Sequence, residues 1–293
     1  MNAGALSDDM AWPAPAKLNL FLHITGRRPD GYHELQTLFQ FLDYGDQLGF
    51  EIRHDDVIRR VDGPPGLDPE RDLCVLAARR LRQECSAARG VDIHLHKRLP
   101  IGGGLGGGSS DAATTLVALN QLWGLDLPVD RLESLGLELG ADVPVFVRGY
   151  AAWAEGVGEQ LITVVDPRLS EPWYLVVTPD CHVSTAEVFG DPALTRNSLP
   201  ITIADFFAGQ AGNVCTPVVR KNYPAVARAL DWLDAHCPGN ACMTGTGASV
   251  FAAFDTRQAA WQVKEQVPAA WQSFVARGLN RSPLLERLEC AAF

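Results

Sequence analysis

From Leu99 to Asp111 the chain has the sequence LPIGGGLGGGSSD, in which six of the seven positions 102–108 are glycine. Glycine adopts positive-φ conformations at little steric cost, so this stretch can curve around an object and turn its N–H groups inward. Residues 91–96 alternate between apolar and polar side chains, which predicts a half-buried strand. Residues 112–123 have apolar side chains at helical spacing and predict an amphipathic helix. A glycine loop between a strand and a helix N-terminus indicates an anion site, here for the phosphate chain of a nucleotide.

The loop has three other possible interpretations. A flexible Gly/Ser linker is disfavoured because regular structure is predicted against both ends. Gly102, Gly104 and Gly107 satisfy the G-x-G-x-x-G pattern of dinucleotide folds. However, a central parallel strand is almost wholly apolar, and the strand predicted here alternates. A Walker A loop ends in Gly-Lys-Ser/Thr, and no lysine follows these glycines. The remaining interpretation is a nucleotide kinase whose glycine loop differs from both the dinucleotide-fold and the Walker A patterns.

The loop sequence PIGGGLGGGSSDAA (100–113) resembles the second motif of the GHMP kinases, the family of galactokinase, homoserine kinase and mevalonate kinase. The other stretches that carry the resemblance are, in family order, PAKLNL (15–20), RPDGYHEL (28–35), GADVPVF (140–146), AEGVGE (154–159) and TGTGASVF (244–251), which is similar to the third motif. The resemblance therefore covers nearly the whole chain.

The resemblance implies an α+β GHMP kinase fold of two domains, with the active site in the cleft between them. Residues 13–165 would form a domain like the second domain of ribosomal protein S5, which binds the nucleotide, and residues 166–293 a ferredoxin-like domain. Periodicity alone predicts only two α+β domains. The motifs are most similar to the branch that uses ATP to phosphorylate the C2 hydroxyl of 4-diphosphocytidyl-2-C-methyl-D-erythritol, for non-mevalonate isoprenoid biosynthesis. A homoserine or mevalonate kinase and a non-catalytic nucleotide-binding regulator are the alternatives.

Composition agrees with a globular enzyme, since 293 residues suit two domains and 47% hydrophobic with 20% charged residues is ordinary usage. No apolar run approaches the ~18 residues of a membrane span. Met1–Met10 lacks the basic-then-apolar pattern of a signal peptide and is interpreted as a lead-in to the first strand. The seven cysteines form no C-x-x-C pair, which favours reduced thiols and a cytoplasmic location.

The net charge of −10 disfavours a nucleic-acid or anionic-membrane partner. A small phosphate-bearing ligand needs only local positive charge, which Lys97 and Arg98 can supply beside the loop. The expected partners are ATP and a small cytidyl substrate. The sequence does not give the oligomeric state.

Phosphoryl transfer to an alcohol requires that the hydroxyl lose a proton and that the developing charge be stabilised. Asp142 lies two residues before Pro144, a helix-start pattern in which aspartate is usually an N-cap. It matches the catalytic base of the family, so the resemblance assigns it that role, with Lys17 as its cationic partner. Strand alternation places Lys17 and Asn19 on one face, as expected for a cleft wall, whereas a surface lysine is the alternative.

On the substrate side, Tyr32 and His33 follow an Asp-Gly turn. An aromatic ring beside an imidazole can stack on a pyrimidine and hydrogen-bond its edge, although a core tyrosine with a capping histidine fits the spacing equally. The resemblance implies that these two residues hold the cytosine. It further implies that Asn19 and Thr185 lie near the erythritol and phosphates, and that Val157 lines the same pocket.

The resemblance also implies the set of ATP-binding residues, which lie in the glycine loop and the third motif. They are Lys97, Pro100, Ile101, Gly102, Gly103, Gly104, Leu105, Gly106, Gly107, Gly108, Ser109, Ser110, Thr244, Gly245, Thr246 and Gly247. Asp72 stands where the family commonly has asparagine near the adenine. Mg²⁺ is expected with ATP, and its ligands stay unassigned.

Outside the motifs, periodicity predicts helices near 73–81, 130–138, 226–233 and 257–267, a strand at 173–177 and a strand–loop–strand unit at 241–254. Asp130 and Glu133 have the spacing of a capping box for their helix. Residues 189–222 give little indication of regular structure.

Overall fold

The computed structural model describes residues 11–64, 66–85 and 89–291, so the predicted lead-in at Met1–Met10 lies outside the described residues. The strands are β1 (Trp12–Arg27), β2 (His33–Arg53), β3 (Ile58–Asp62), β4 (Gly90–His96), β5 (Ala152–Glu155), β6 (Gln160–Thr163), β7 (Trp173–Thr178), β8 (Cys242–Met243), β9 (Val250–Phe254) and β10 (Gln272–Leu279). The α-helices are α1 (Leu73–Cys85), α2 (Gly107–Leu122), α3 (Val129–Leu137), α4 (Val143–Arg148), α5 (Thr185–Gly190), α6 (Ile203–Phe207), α7 (Thr216–Asn222), α8 (Pro224–His236), α9 (Arg257–Lys264) and α10 (Pro283–Ala291).

The strands form one hydrogen-bonded sheet in the order β3-β4-β2-β10-β7-β9-β8, with β1 and β5 also paired to β2. All pairings are antiparallel except that of β3 with β4. Strand β10 joins the two halves of the chain, because residues 272–277 pair with β7 whereas Gly278 and Leu279 pair with β2. The sheet is therefore continuous across both halves.

Two large apolar cores cover this sheet. The first packs β1, β2 and β4 against α1, α2, α3 and α4, and the second packs β7 and β9 against α5, α7 and α8. Helix α10 returns to the first core, where the side chain of Leu284 is fully buried. The two ends of the chain thus contribute to one core.

Helix α2, which follows the glycine loop, differs from its prediction. Residues 110–119 are all buried, so the helix is central and not amphipathic. It lies against β1 and β2 as well as α1, α3, α4 and α10. The small side chains at Ala112, Ala113 and Ala118 allow this close approach from every side.

Two further local predictions were wrong. Strand β4 is mostly buried and not half-buried, because the carboxylate of Asp92 is covered by ion pairs with Arg53 and Arg59. Helix α3 has Pro128 as its N-cap without a side-chain cap, so the predicted capping box is absent there. Glu133 instead pairs with Arg148, with 2.7 Å between Oε1 and Nε.

The other predicted elements are confirmed: α1, β7, α8, the β8–β9 unit, and α9, which ends at Lys264. Residues 189–222 contain the short helices α6 and α7 and the end of α5. The cysteines all lie apart as free thiols. No helix within the described ranges is long and apolar enough to cross a lipid bilayer.

Candidate active site

The glycine loop, residues 102–108, leads from β4 into α2 and needs glycine at specific positions. Gly104 and Gly106 have φ of 76° and 74°, in the left-handed region. A Cβ atom on Gly104 would lie 2.7 Å from the carbonyl oxygen of Thr244, and one on Gly106 would lie 2.7 Å from the ring of Phe146. Both contacts are too short for any real side chain. The loop therefore packs backbone to backbone against the third motif.

Two cavities meet at this loop. The first, which we call the nucleotide cavity, has a volume of about 350 Å³. It is lined by residues 100–109 together with Pro64, Leu67, Arg71, Asp72, Leu73, Leu95, Lys97 and Asp111. The N-terminal N–H groups of α2 lie at its edge, as the sequence predicts for an anion site.

The second cavity, which we call the acceptor cavity, has a volume of about 250 Å³. Its lining residues are Lys17, Asn19, Leu22, Leu35, Thr37, Phe39, Gly104, Gly106, Ala141, Asp142, Val157, Gly158, Thr185, Phe189, Gly245 and Thr246. Gly104 and Gly106 line both cavities. The glycine loop is thus a shared wall.

Lys17 lies at this wall and is only 3% exposed. Its ammonium donates to the Asn19 side-chain oxygen at 2.5 Å and to the Gly104 carbonyl at 3.3 Å, and it pairs with the Asp142 carboxylate at 3.2 Å. These three acceptors match the three hydrogens of the ammonium. The interpretation of Lys17 as a surface lysine is therefore wrong, and the expected pairing with Asp142 is present.

Asp142 precedes α4 but does not cap it through its side chain. Its carboxylate is instead directed to Lys17, and the side chain stays 35% exposed to the acceptor cavity. An aspartate that caps a helix through its side chain accepts hydrogen bonds from backbone N–H groups with its carboxylate oxygens. The side chain is consequently available to a ligand.

Asn19 is held in place by contacts on every side. Its side-chain amide donates to the Thr37 hydroxyl at 3.0 Å, and its backbone N–H donates to the Thr244 hydroxyl at 2.9 Å. The Thr37 hydroxyl in turn donates to the Phe21 carbonyl. This network ties β1, β2 and the third motif together and fixes the direction of the Asn19 oxygen toward Lys17.

In the third motif, Thr244, Gly245, Thr246 and Gly247 form the turn between β8 and β9. Gly245 and Thr246 line the acceptor cavity. The Thr246 hydroxyl hydrogen-bonds the Thr185 hydroxyl at 2.9 Å. Thr185 begins α5, so this bond joins that helix to the turn.

Lys97 lines the nucleotide cavity, but its charge is not free. The ammonium contacts the Asp46 carboxylate and lies 2.7 Å from the Asp111 carboxylate. Asp46 also accepts the backbone N–H groups of Arg98 and Leu99. Burial raises the pKa of Lys97's partner Asp111 to about 8.

The Arg98 guanidinium lies over the Tyr44 ring at 4.3 Å and is not among the lining residues. Local positive charge beside the loop is thus largely neutralised.

Asp72 has both carboxylate oxygens occupied. One accepts the Cys74 N–H at 2.8 Å, and the other pairs with Arg60 at 2.5 Å. Arg60 also donates to the Leu67 carbonyl at 2.8 Å. Asp72, which lines the nucleotide cavity, is therefore matched by an arginine with a buried side chain.

Tyr32 and His33 do not line the acceptor cavity. Tyr32 is 65% exposed, so its interpretation as a core residue is wrong. The His33 ring stacks on the Phe189 ring with 5.1 Å between centroids, and Phe189 does line the cavity. His33 therefore lies beside the acceptor cavity, against Phe189. Val157 and Thr185 lie in the lining.

Several residues that shape the site were not predicted from the sequence: Thr37, Asp46, Phe189 and Arg196. Each depends on a partner far along the chain, such as Asp46 with Lys97 or Arg196 with His33. No spacing rule links such pairs, so local pattern gives no indication of them.

Comparison with known proteins identifies the family of this chain. Residues 72–150 match the family model of the GHMP kinases N terminal domain, and residues 193–273 match that of the GHMP kinases C terminal. These matches define the class of protein: a kinase of the GHMP type.

Individual curated relatives indicate which kind of GHMP kinase this chain is similar to. A protein of Nitrosococcus oceani named 4-diphosphocytidyl-2-C-methyl-D-erythritol kinase is 57% identical over 280 residues, covering 96% of this chain and 98% of its own. A protein of the same name from Halorhodospira halophila is 57% identical, covering 93% and 94%. A crystal structure of 4-(cytidine 5'-diphospho)-2C-methyl-D-erythritol kinase is 32% identical with a TM-score of 0.78, covering 92% of this chain and 99% of that one. A crystal structure of mevalonate kinase, at 17% identity and a TM-score of 0.68, shares the fold.

The chain therefore belongs to the family of 4-diphosphocytidyl-2-C-methyl-D-erythritol kinases within the GHMP kinases. It is an ATP-dependent kinase with a mixed α+β fold.

Proposed function

We propose that this kinase transfers the γ-phosphoryl group of ATP to the C2 hydroxyl of 4-diphosphocytidyl-2-C-methyl-D-erythritol, giving the 2-phosphate and ADP. The reaction serves non-mevalonate isoprenoid precursor biosynthesis. The observation that carries the proposal is the Lys17–Asp142 pair, which lies at the wall shared by the nucleotide and acceptor cavities. The names of relatives more than half identical to this chain support the choice of substrate.

In this mechanism, Asp142 accepts a hydrogen bond from the C2 hydroxyl and takes its proton as the bond to phosphorus forms. Phosphoryl transfer of this kind depends mainly on positioning and charge stabilisation, so an ionised aspartate suffices. Lys17 keeps Asp142 oriented and stabilises the negative charge that develops on the oxygen. Transfer is direct, because Asp142 acts as a base and not as a nucleophile.

The donor nucleotide would occupy the nucleotide cavity with its phosphates along the glycine loop. Free backbone N–H groups and the dipole of α2 favour this anion. Because Lys97 is paired with two carboxylates, these backbone groups supply most of the favourable interaction. Thr244 to Gly247 would close over the phosphates from the other side.

Mg²⁺ would accompany ATP. Within the described ranges, no group of three or more His, Cys, Asp or Glu side chains could form a dedicated metal cage. Mg²⁺ usually keeps several waters and binds through substrate phosphates, so it would enter the site together with ATP. When bound, it would neutralise charge on the phosphoryl oxygens.

The acceptor cavity would take the methylerythritol and phosphate portions of the substrate, near Asn19 and Thr185, with Val157 in its wall and the cytosine at the mouth near Tyr32 and His33. We place the domain boundary of this enzyme between residues 165 and 166, with α10 returning to the first domain. The free thiols favour a reducing, cytoplasmic setting.

The test measures ADP release by the purified protein with Mg-ATP, with and without the cytidyl substrate. Asp142→Asn and Lys17→Met should each lower kcat by about 10²–10⁴-fold, since each removes a positioned base or a charge-stabilising donor. Asp130→Asn is the matched control, because it removes one carboxylate at the start of another helix, away from the site. Full activity of Asp142→Asn, or turnover only with homoserine or mevalonate, would contradict the proposal.

A further inference from the structure

Arg196 makes four hydrogen bonds through its guanidinium, all to atoms without a negative charge. Nη1 donates to the Leu194 carbonyl at 3.1 Å, and Nη2 donates to the carbonyls of Phe189 at 2.7 Å and Asp191 at 2.8 Å. Nε donates to Nε2 of His33 at 3.1 Å. The guanidinium is therefore anchored to the end of α5 and to the residues that follow it, while it holds the histidine ring.

This contact determines which ring nitrogen of His33 carries the hydrogen. A guanidinium has only donors and keeps its charge, so Nε2 of His33 must provide the lone pair. A neutral imidazole carries one hydrogen, which then lies on Nδ1. Burial, together with the charges of Arg196 and Arg27, lowers the pKa of His33, which favours the neutral ring.

The Nδ1–H group is available to a ligand. No other described residue accepts a hydrogen bond from it, and the ring lies on Phe189, which lines the acceptor cavity. His33 thus presents one neutral donor beside the acceptor cavity, next to an aromatic face.

A single donor distinguishes the two common pyrimidines. Cytosine has a lone pair on N3, whereas uracil carries a hydrogen there. A donor directed at N3 pairs with cytosine and meets the N–H of uracil, which leaves two donors facing each other. Unpaired buried donors are costly, so such a contact discriminates strongly.

We propose that Arg196 is a specificity-determining positioning residue, which fixes His33 in the Nδ1–H tautomer so that the site accepts a cytosine ring and rejects uracil. This inference rests on the proposed function. Without Arg196, the ring can move its hydrogen to Nε2 and present Nδ1 as an acceptor. That tautomer suits the N3–H of uracil.

The kinetic test compares wild type, Arg196→Met and Arg196→Lys with the cytidyl substrate and its uridyl analogue. In Arg196→Met, KM for the cytidyl substrate should rise about tenfold, in line with the loss of one hydrogen bond, while kcat changes little. The cytidyl-to-uridyl ratio of kcat/KM should fall about tenfold or more. Arg196→Lys should restore part of that ratio, because an ammonium also only donates. Arg220→Met, a surface arginine paired with Asp231, is the control and should leave both values unchanged.

A purely structural role for Arg196 would weaken both substrates equally, and an unchanged ratio in Arg196→Met overturns the inference. Because that variant can also lose its fold, a second measurement uses the wild type. ¹⁵N-histidine NMR, with His33→Gln to assign the signal, should show hydrogen on Nδ1 with and without CDP. Hydrogen on Nε2, or a charged ring at pH 7.5, overturns the inference. If the wild type turns over the cytidyl and uridyl substrates equally well, the inference about Arg196 is overturned but the proposed kinase activity stands. If it turns over neither substrate, both the proposed function and the inference are overturned.

Discussion

At the scale of single residues, the site is built from buried charges that are fully matched by partners. Lys17 has three acceptors for three hydrogens, and Arg60 and Asp72 neutralise each other at the nucleotide cavity. Matched charges of this kind cost little when intact and much when one partner is removed. The cluster of Asp46, Lys97 and Asp111 is the exception, because it holds two carboxylates for one ammonium.

That imbalance predicts a pH dependence of stability. Burial, opposed by Lys97 and reinforced by Asp46, raises the pKa of Asp111 to about 8 from 3.8. Between these values the folded protein keeps a proton that the unfolded chain releases, so the Asp111 contribution to stability declines as pH rises from about 4 to about 8. Asp111→Asn cannot ionise and should escape this loss. Its free energy of unfolding, relative to wild type, should rise across that window.

The measurement is urea unfolding of both proteins at several pH values between 4 and 9. Asp130→Asn, an exposed site, should show no such slope. A constant difference between Asp111→Asn and wild type would contradict the prediction.

At the scale of elements, the contact between the glycine loop and the third motif controls the distance between the two cavities. Gly104→Ala would place a Cβ atom 2.7 Å from the Thr244 carbonyl and 2.8 Å from that of Gly247. Because both obstacles are backbone, the two loops must separate. We expect kcat to fall at least about tenfold, with KM for ATP raised.

The matched control is Gly209→Ala. Gly209 also has a positive φ, of 78°, but no atom lies within 4 Å of the added Cβ. It therefore carries the conformational strain, about 1 kcal/mol, without the clash. Steady-state kinetics of the two variants separates strain from steric displacement. Equal loss of activity in both would show that the loop contact is unimportant.

Local pattern predicted the elements that local chemistry determines. The glycine loop, α1, β7 and α8 follow from turn residues and periodicity, and the common face of Lys17 and Asn19 follows from strand alternation. The complete burial of α2 could not be predicted, because it depends on elements that surround the helix in space.

The site was predictable only in part for the same reason. The motif resemblance indicated Asp142 as the catalytic base, whereas its local sequence by itself predicts only a helix N-cap. Arg196 lies 163 residues from His33 along the chain, and Asp46 lies 51 from Lys97. Such pairs arise from the pairing of distant elements, which no window of sequence contains.

At the scale of the whole molecule, Leu284 tests how strongly the two halves depend on each other. Its side chain is fully buried in the first core, although it follows all the elements of the second core along the chain. Leu284→Ala should reduce the free energy of unfolding by about 2–5 kcal/mol. Because β10 joins both halves, hydrogen exchange should accelerate in β7 as well as in β2.

Leu199→Ala is the control, since that leucine is 83% exposed and should cost little. Acceleration confined to β1 and β2 in Leu284→Ala would show that the halves unfold independently, contrary to this prediction.

The return of α10 also governs the order in which the enzyme can be made. A ribosome delivers β1, β2 and α2 well before α10, which carries the leucine that is buried in their core. Until α10 is made, the N-terminal half leaves part of its apolar surface uncovered, and transiently exposed apolar surface is what chaperones bind. Packing of the first core is thus completed only when α10 has been made, and a chain that lacks α10 lacks the leucine that is buried in that core.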